Sequence, residues 1–191
     1  MMKNRTSGFT LIEIMIGMAA ASILLLAVGS VLVSGNKTYH HYALSVRAGE
    51  TGDAIAELTK TKLQYATNVL IAEEKNWESG DFGMVGFTKD GSFLLDGSEA
   101  YGDLPESGLY AGCRITFPDE NAPVLQIEVS IKDQAGTMLY RSREVVRLFN
   151  MELNGETVDC RIAKRDGAID SADQDVMLFY WKNGRRYDQD E

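Results

Sequence analysis

From Ile14 to Val33 the chain runs through twenty residues without a charge, and polarity returns only at Ser34-Gly35-Asn36-Lys37. At about 1.5 Å rise per residue, a helix of that length spans roughly 30 Å, the thickness of one hydrocarbon core. The pattern predicts a single membrane crossing over 9–33. No proline follows until Pro105, so the helix is expected to continue past the membrane. Gly49 and Gly52 each weaken a helix by about 1 kcal/mol relative to alanine, which predicts a soft point at 49–52. Beyond it, Ile55, Leu58, Leu63, Ala66, Val69 and Leu70 recur at helical spacing. Asp53 suits an N-cap, and Glu57 with Lys60 forms an i,i+3 pair, so the helical prediction extends over 34–74.

From Asp81 onward the period shortens to that of strands. Phe82 to Thr88 and Ser92 to Leu95 flank Asp90-Gly91, a hairpin signal. Asp96 to Gly108 reads as a loop, and Leu109 to Phe117 as a strand that stops at Pro118. Leu125, Ile127, Val129 and Ile131 alternate with Gln126, Glu128, Ser130 and Lys132, the pattern of a half-buried strand. Thr137 to Leu148 follows across Gly136, and Asn154-Gly155 predicts a second hairpin into Thr157–Ile162. The last strand is Val176 to Trp181, whose aromatics Phe179, Tyr180 and Trp181 are expected in the core. The predicted fold is α+β: a long amino-terminal helix packed on an antiparallel β-sheet domain over 75–191.

The residues before the apolar run change the picture from an anchor to a processed anchor. A secretory signal places its small-residue cleavage site after the apolar region. Here the basic leader MMKNRTSG comes first, and Gly8 sits ahead of the run. The stretch Gly8-Phe9-Thr10-Leu11-Ile12-Glu13 resembles the type IV prepilin signal shared by pilins and type II secretion pseudopilins, over about the first 33 residues. That resemblance implies cleavage between Gly8 and Phe9 by a prepilin peptidase, which removes 1–8, and N-methylation of Phe9 by the same enzyme. It also implies that Glu13 pairs with the amine of a neighbouring subunit's Phe9 and sets the stagger of assembly. On its own chemistry, Glu13 is an acid in a helix's first turn, where the dipole favours it. The family's fold is the same α+β arrangement, with the helix continuation lying against the globular domain.

Removal of residues 1–8 leaves 183 of the 191 residues, a length that fits a minor subunit. A weaker likeness of Ala54 to Val69 to pilus-initiating and J-type minor subunits points the same way, and Glu13 argues against the tip pseudopilin that lacks this acid. Ser30 stands where many pilins have a helix-bending proline. The expected function is therefore structural, as a subunit of a type IV pilus or a secretion or competence pseudopilus. The partners are the peptidase, other pilin or pseudopilin subunits and a membrane crossed once. The alternative is a monomeric membrane-anchored binding module or adhesin.

Charge and chemistry narrow the rest. Net charge is −9; Lys3 and Arg5 precede the run and Glu13 lies at its start, so 17 of the 19 basic and 27 of the 28 acidic residues fall from Asn36 onward. That acidic balance argues against general nucleic-acid binding. Lys3 and Arg5 place the leader in the cytoplasm by the positive-inside rule, and the large domain outside. Outside, Cys113 and Cys160 can form a disulfide, favoured over two buried free thiols. Asp170, Asp173 and Asp175, with Asp166, crowd a loop of a kind that can bind calcium, but their spacing is not that of an EF-hand, and a solvated acidic loop is preferred. Arg141, Arg143 and Arg147 form a period-two basic stripe on one side of a strand, a contact for DNA or an acidic subunit face in one reading and a solvated face in the preferred one. No catalytic constellation, cofactor motif or clustered metal-ligand spacing stands out, so no enzyme and no cofactor is expected.

Overall fold

The computed structural model describes residues 10–73, 82–102, 104–118, 122–154, 158–160 and 167–181. Two compact units divide the chain, Met1–Leu44 and Ser45–Glu191. The element order is α1 (Leu11–Gln64), β1 (Asn68–Ala72), β2 (Phe82–Phe87), β3 (Phe93–Leu95), β4 (Ser98–Glu99), β5 (Leu109–Thr116), β6 (Val124–Asp133), β7 (Met138–Arg147), α2 (Phe149–Asn154), β8 (Asp159–Cys160), β9 (Ala168–Asp170) and β10 (Val176–Trp181). A long helix followed by antiparallel sheets is the α+β arrangement the patterning predicted.

The strands form two sheets, one of order β4-β3-β2-β10-β1-β8 and one of order β7-β6-β5-β9. β10 is the centre of the first. It pairs antiparallel with β1 on one side and β2 on the other, and all six of its residues are buried. Leu70, Met84, Leu94, Met177, Phe179 and Trp181 build the core on one of its faces, with Phe82 packed against them. Two glycines in β2 allow the close approach of β10 side chains: a Cβ on Gly83 would meet the Tyr180 hydroxyl at 2.2 Å, and one on Gly86 the Met177 sulfur at 2.4 Å. In the second sheet, β5 and β6 alternate buried and open positions along their length, so one face is core and the other is outward.

Three expectations fail here, each for a physical reason. The helix has no break at 49–52 and ends at Gln64 instead of 74. Gly52 is a packing glycine: it is buried, and a Cβ there would lie 2.2 Å from the Tyr140 ring. Asn68–Ala72 is a strand, because a segment buried on both faces shows a continuous apolar run that helical spacing also fits. The hairpin expected at Asn154-Gly155 is replaced by α2, in which the Glu152 amide donates to the Leu148 carbonyl at 2.9 Å and Met151 is fully buried. β8 then joins the other sheet, parallel to β1.

In the carboxy-terminal part of α1, Ile55, Thr59 and Leu63 are buried, and contacts with β7 tie this part to the second sheet. Tyr140 of β7 lies over Gly52 and donates its hydroxyl to Asp53 at 2.6 Å, while Lys60 pairs with Glu144 at 3.2 Å. Gly52→Val is expected to displace the Tyr140 ring and lower stability by about 1–3 kcal/mol. At Gly49, where a Cβ meets nothing within 4 Å, alanine should instead raise it by about 0.5–1 kcal/mol. Chemical denaturation of the detergent-solubilised chain measures both; equal effects at the two positions would contradict this packing.

Candidate functional site

The structurally described part of the signal begins at Thr10, and its first turn is a reciprocal cap. The Thr10 amide donates to Glu13 Oε2 at 2.9 Å, and the Thr10 hydroxyl donates to the same oxygen at 3.0 Å. In return the Glu13 amide faces Thr10 Oγ1 at 3.4 Å and the Thr10 carbonyl at 3.1 Å. This is a capping box, in which the threonine and the acid three residues later satisfy each other's orphan groups. The Thr-x-x-Glu spacing is the sequence signature of this cap, a local role for Glu13 beside the dipole and the expected intersubunit pairing. Gly8 and Phe9, the expected cleavage and methylation positions, lie outside the described residues.

From Leu11 to Val33 every position except Gly29 is exposed among the described residues. Among the described residues this is the one helix long and apolar enough to cross a membrane. Its few hydroxyls are satisfied within the helix: Ser22 donates to the Met18 carbonyl and Ser30 to the Ala27 carbonyl, each at 2.8 Å. No polar side chain in the run needs an outside partner to lie in lipid. Tyr39 and Tyr42 follow the run and are also exposed, the residue type that favours a membrane–water boundary.

The remaining predicted residues do not converge on this site. Cys113 and Cys160 form no disulfide in the structure, which corrects the expected pairing. Cys113 is buried on the core face of β5, and Cys160 is on β8 of the other sheet. Burial, and then the charges of Asp170 and Glu128, push the Cys113 thiol well above its ordinary range, so it is a core residue and not a nucleophile. The acids proposed for calcium work as turn and strand partners. Asp170 accepts from the Ala172 amide at 2.9 Å and faces Arg114 at 3.9 Å, and Asp175 accepts from the Lys89 amide at 2.7 Å. Among the described residues no three His, Cys, Asp or Glu side chains gather as a metal site; Asp166 lies outside them. Phe179, Tyr180 and Trp181 are core, as expected. Burial raises the Tyr180 hydroxyl to about 12 and, with the Asp53 hydrogen bond, also raises that of Tyr140.

The candidate site is thus the amino-terminal helix itself. Residues 3–29 match the family described as the prokaryotic N-terminal methylation motif. The chain is similar to a variant of the PilB minor pilin from Streptococcus sanguinis, with a TM-score of 0.47 and 12% identity over 70% of this chain and 33% of that one. It therefore spans about a third of that protein's length. No curated protein matches the chain.

Proposed function

We propose that the chain is a filament subunit of the type IV pilin and type II secretion pseudopilin kind. It would be cut between Gly8 and Phe9 by a prepilin peptidase, methylated on Phe9, and assembled with other subunits into a pilus or pseudopilus. One observation carries the reading: the methylation motif at 3–29 coincides with the start of a long apolar helix whose side chains from Leu11 to Val33 are exposed among the described residues. A bilayer covers such a helix while the subunit is stored, and a bundle of like helices covers it in a filament. Transfer from one to the other exposes no apolar surface to water, so it costs little in hydrophobic free energy. The globular unit stays on the far side of the membrane from the leader.

The mass and amino-terminal sequence of the protein, taken from membranes that contain a prepilin peptidase, test this. A chain that starts at Phe9 and is one methyl group heavier than its sequence is expected. A chain that still starts at Met1 or Met2 would leave a plain anchored domain and remove the filament reading.

A further inference from the structure

The outward face of the four-stranded sheet carries a charge arrangement that none of its strands shows alone. Register places Asp170 of β9, Arg114 of β5, Glu128 of β6 and Arg143 of β7 in one row across the sheet. Glu128 is held from two sides: Arg143 Nη2 is 2.7 Å from its Oε2, and Arg141 Nε is 3.3 Å from its Oε1. The Glu128 side chain is only 14% exposed, whereas those of Arg141, Arg143 and Arg147 are 57–61% exposed. Arg147 pairs with Glu152 at 3.3 Å, and Lys132 shares the face further along β6. Among the described residues, five cations, Arg114, Lys132, Arg141, Arg143 and Arg147, therefore stand against three carboxylates, Asp170, Glu128 and Glu152, in a chain whose net charge is −9. One carboxylate shared by two guanidinium groups orients both but neutralises only one, so the remaining charge points outward on pre-positioned side chains. Val145, 59% exposed, sits within the arginine stripe and gives the face an apolar contact point.

We infer that this face is a docking surface between subunits, and that its occupant is the acidic ridge of α1 in a second copy of the chain. Glu50, Asp53 and Glu57 lie at i, i+3 and i+7 on α1, and all three are exposed. Asp53 is engaged by Tyr140 at 2.6 Å, so Glu50 and Glu57 supply the charge free to meet arginines. Two copies of the basic face repel each other, which disfavours a closed two-fold dimer through it. A basic face that meets an acidic ridge is heterologous, and a heterologous contact that does not close propagates into a helical filament. The inference rests on the filament reading and adds to it the side of the subunit that reads its neighbour. A repeating subunit is implied, since copies must be adjacent.

The test is a charge-reversal cycle in the full chain, read as protein recovered in sheared filaments. If the wild type forms no filaments, the filament reading itself falls and takes this inference with it. If it does, Arg141→Glu with Arg143→Glu should lower incorporation about tenfold or more, since like charges now meet. Glu50→Lys with Glu57→Lys should do the same, and these exposed side chains make little contact with the core, so folding is spared. The four substitutions together should restore incorporation to within about threefold of wild type. Incorporation unchanged by either reversal overturns the inference. So does a loss from the arginine variant alone with no rescue, which would assign the face to another acidic partner such as DNA. Stronger salt should also weaken the wild-type contact, as it screens exposed charge.

Discussion

Replacing Glu13 by alanine should leave the chain in the membrane but lower its entry into filaments by about tenfold or more. The side chain has two roles that the structure allows to be separated. In the single chain Glu13 closes the capping box with Thr10, through Oε2 at 2.9 Å and 3.0 Å from the Thr10 amide and hydroxyl. That local pairing lets an acid wait at the start of an apolar helix without a partner from another chain. In the proposed filament the same carboxylate meets the amine of a neighbouring Phe9, a pairing of opposite charges in a site with little water, where interaction is strong. Glutamine at 13 keeps the cap, since either residue serves at that position, but removes the charge. Glu13→Gln is therefore expected to insert normally and to assemble as poorly as Glu13→Ala. Membrane fractionation and filament shearing, done on the same cells, read both steps. Should the glutamine variant assemble like wild type, the cap alone accounts for Glu13 and the staggering role is wrong. A stand-alone binder would show no dependence on either substitution.

What the sequence made legible was whatever depended on one segment at a time. The apolar run needs no partner to be recognised, because its length and its lack of charge already match a bilayer. β6 was legible because one face is core and one is outward, which writes an alternation into the residues themselves. β1 was not, because both its faces are buried, and its apolar run Val69-Leu70-Ile71 fits a helix equally well. Gly52 was misread for a related reason: propensity counts only the helix, whereas its role is set by Tyr140 on a distant strand. The arginine stripe was visible by period two, but its meaning depended on Glu128, which reaches Arg143 only through the β6–β7 register. The cysteine pairing failed similarly, since spacing could not show that Cys113 and Cys160 would join different sheets. At the candidate site the motif was fully legible, and the capping box was legible but overlooked.

Phe179→Ala is expected to remove most of the stability of the globular unit, and with it filament incorporation, while leaving the processing of the amino terminus intact. Phe179 is 1% exposed at the middle of β10, the strand paired on both edges and buried on both faces. Its ring meets Phe82 edge-on, with centroids 5.4 Å apart, and Met84, Met177 and Trp181 share the same core cluster. Truncation of a buried phenylalanine costs about 3–5 kcal/mol, from the lost transfer free energy and from the cavity that close-packed neighbours cannot fill. A domain of this kind has a total stability of about 5–15 kcal/mol, so the loss is a large share of it. Leu153→Ala is the contrast: at 85% exposed, that side chain should change stability by less than about 0.5 kcal/mol. Denaturant midpoints of the two variants measure the difference, and similar midpoints would contradict the core assignment. In the proposed processing the peptidase acts on the residues around Gly8 and not on the sheets, so Phe179→Ala protein should still begin at Phe9. Glu13→Ala protein, by comparison, should keep the wild-type midpoint and fail only at assembly. Protein that is processed but unstable in one case, and stable but unassembled in the other, would place the two requirements in different parts of the chain: a sheet core that must be filled, and a helix start that must be charged.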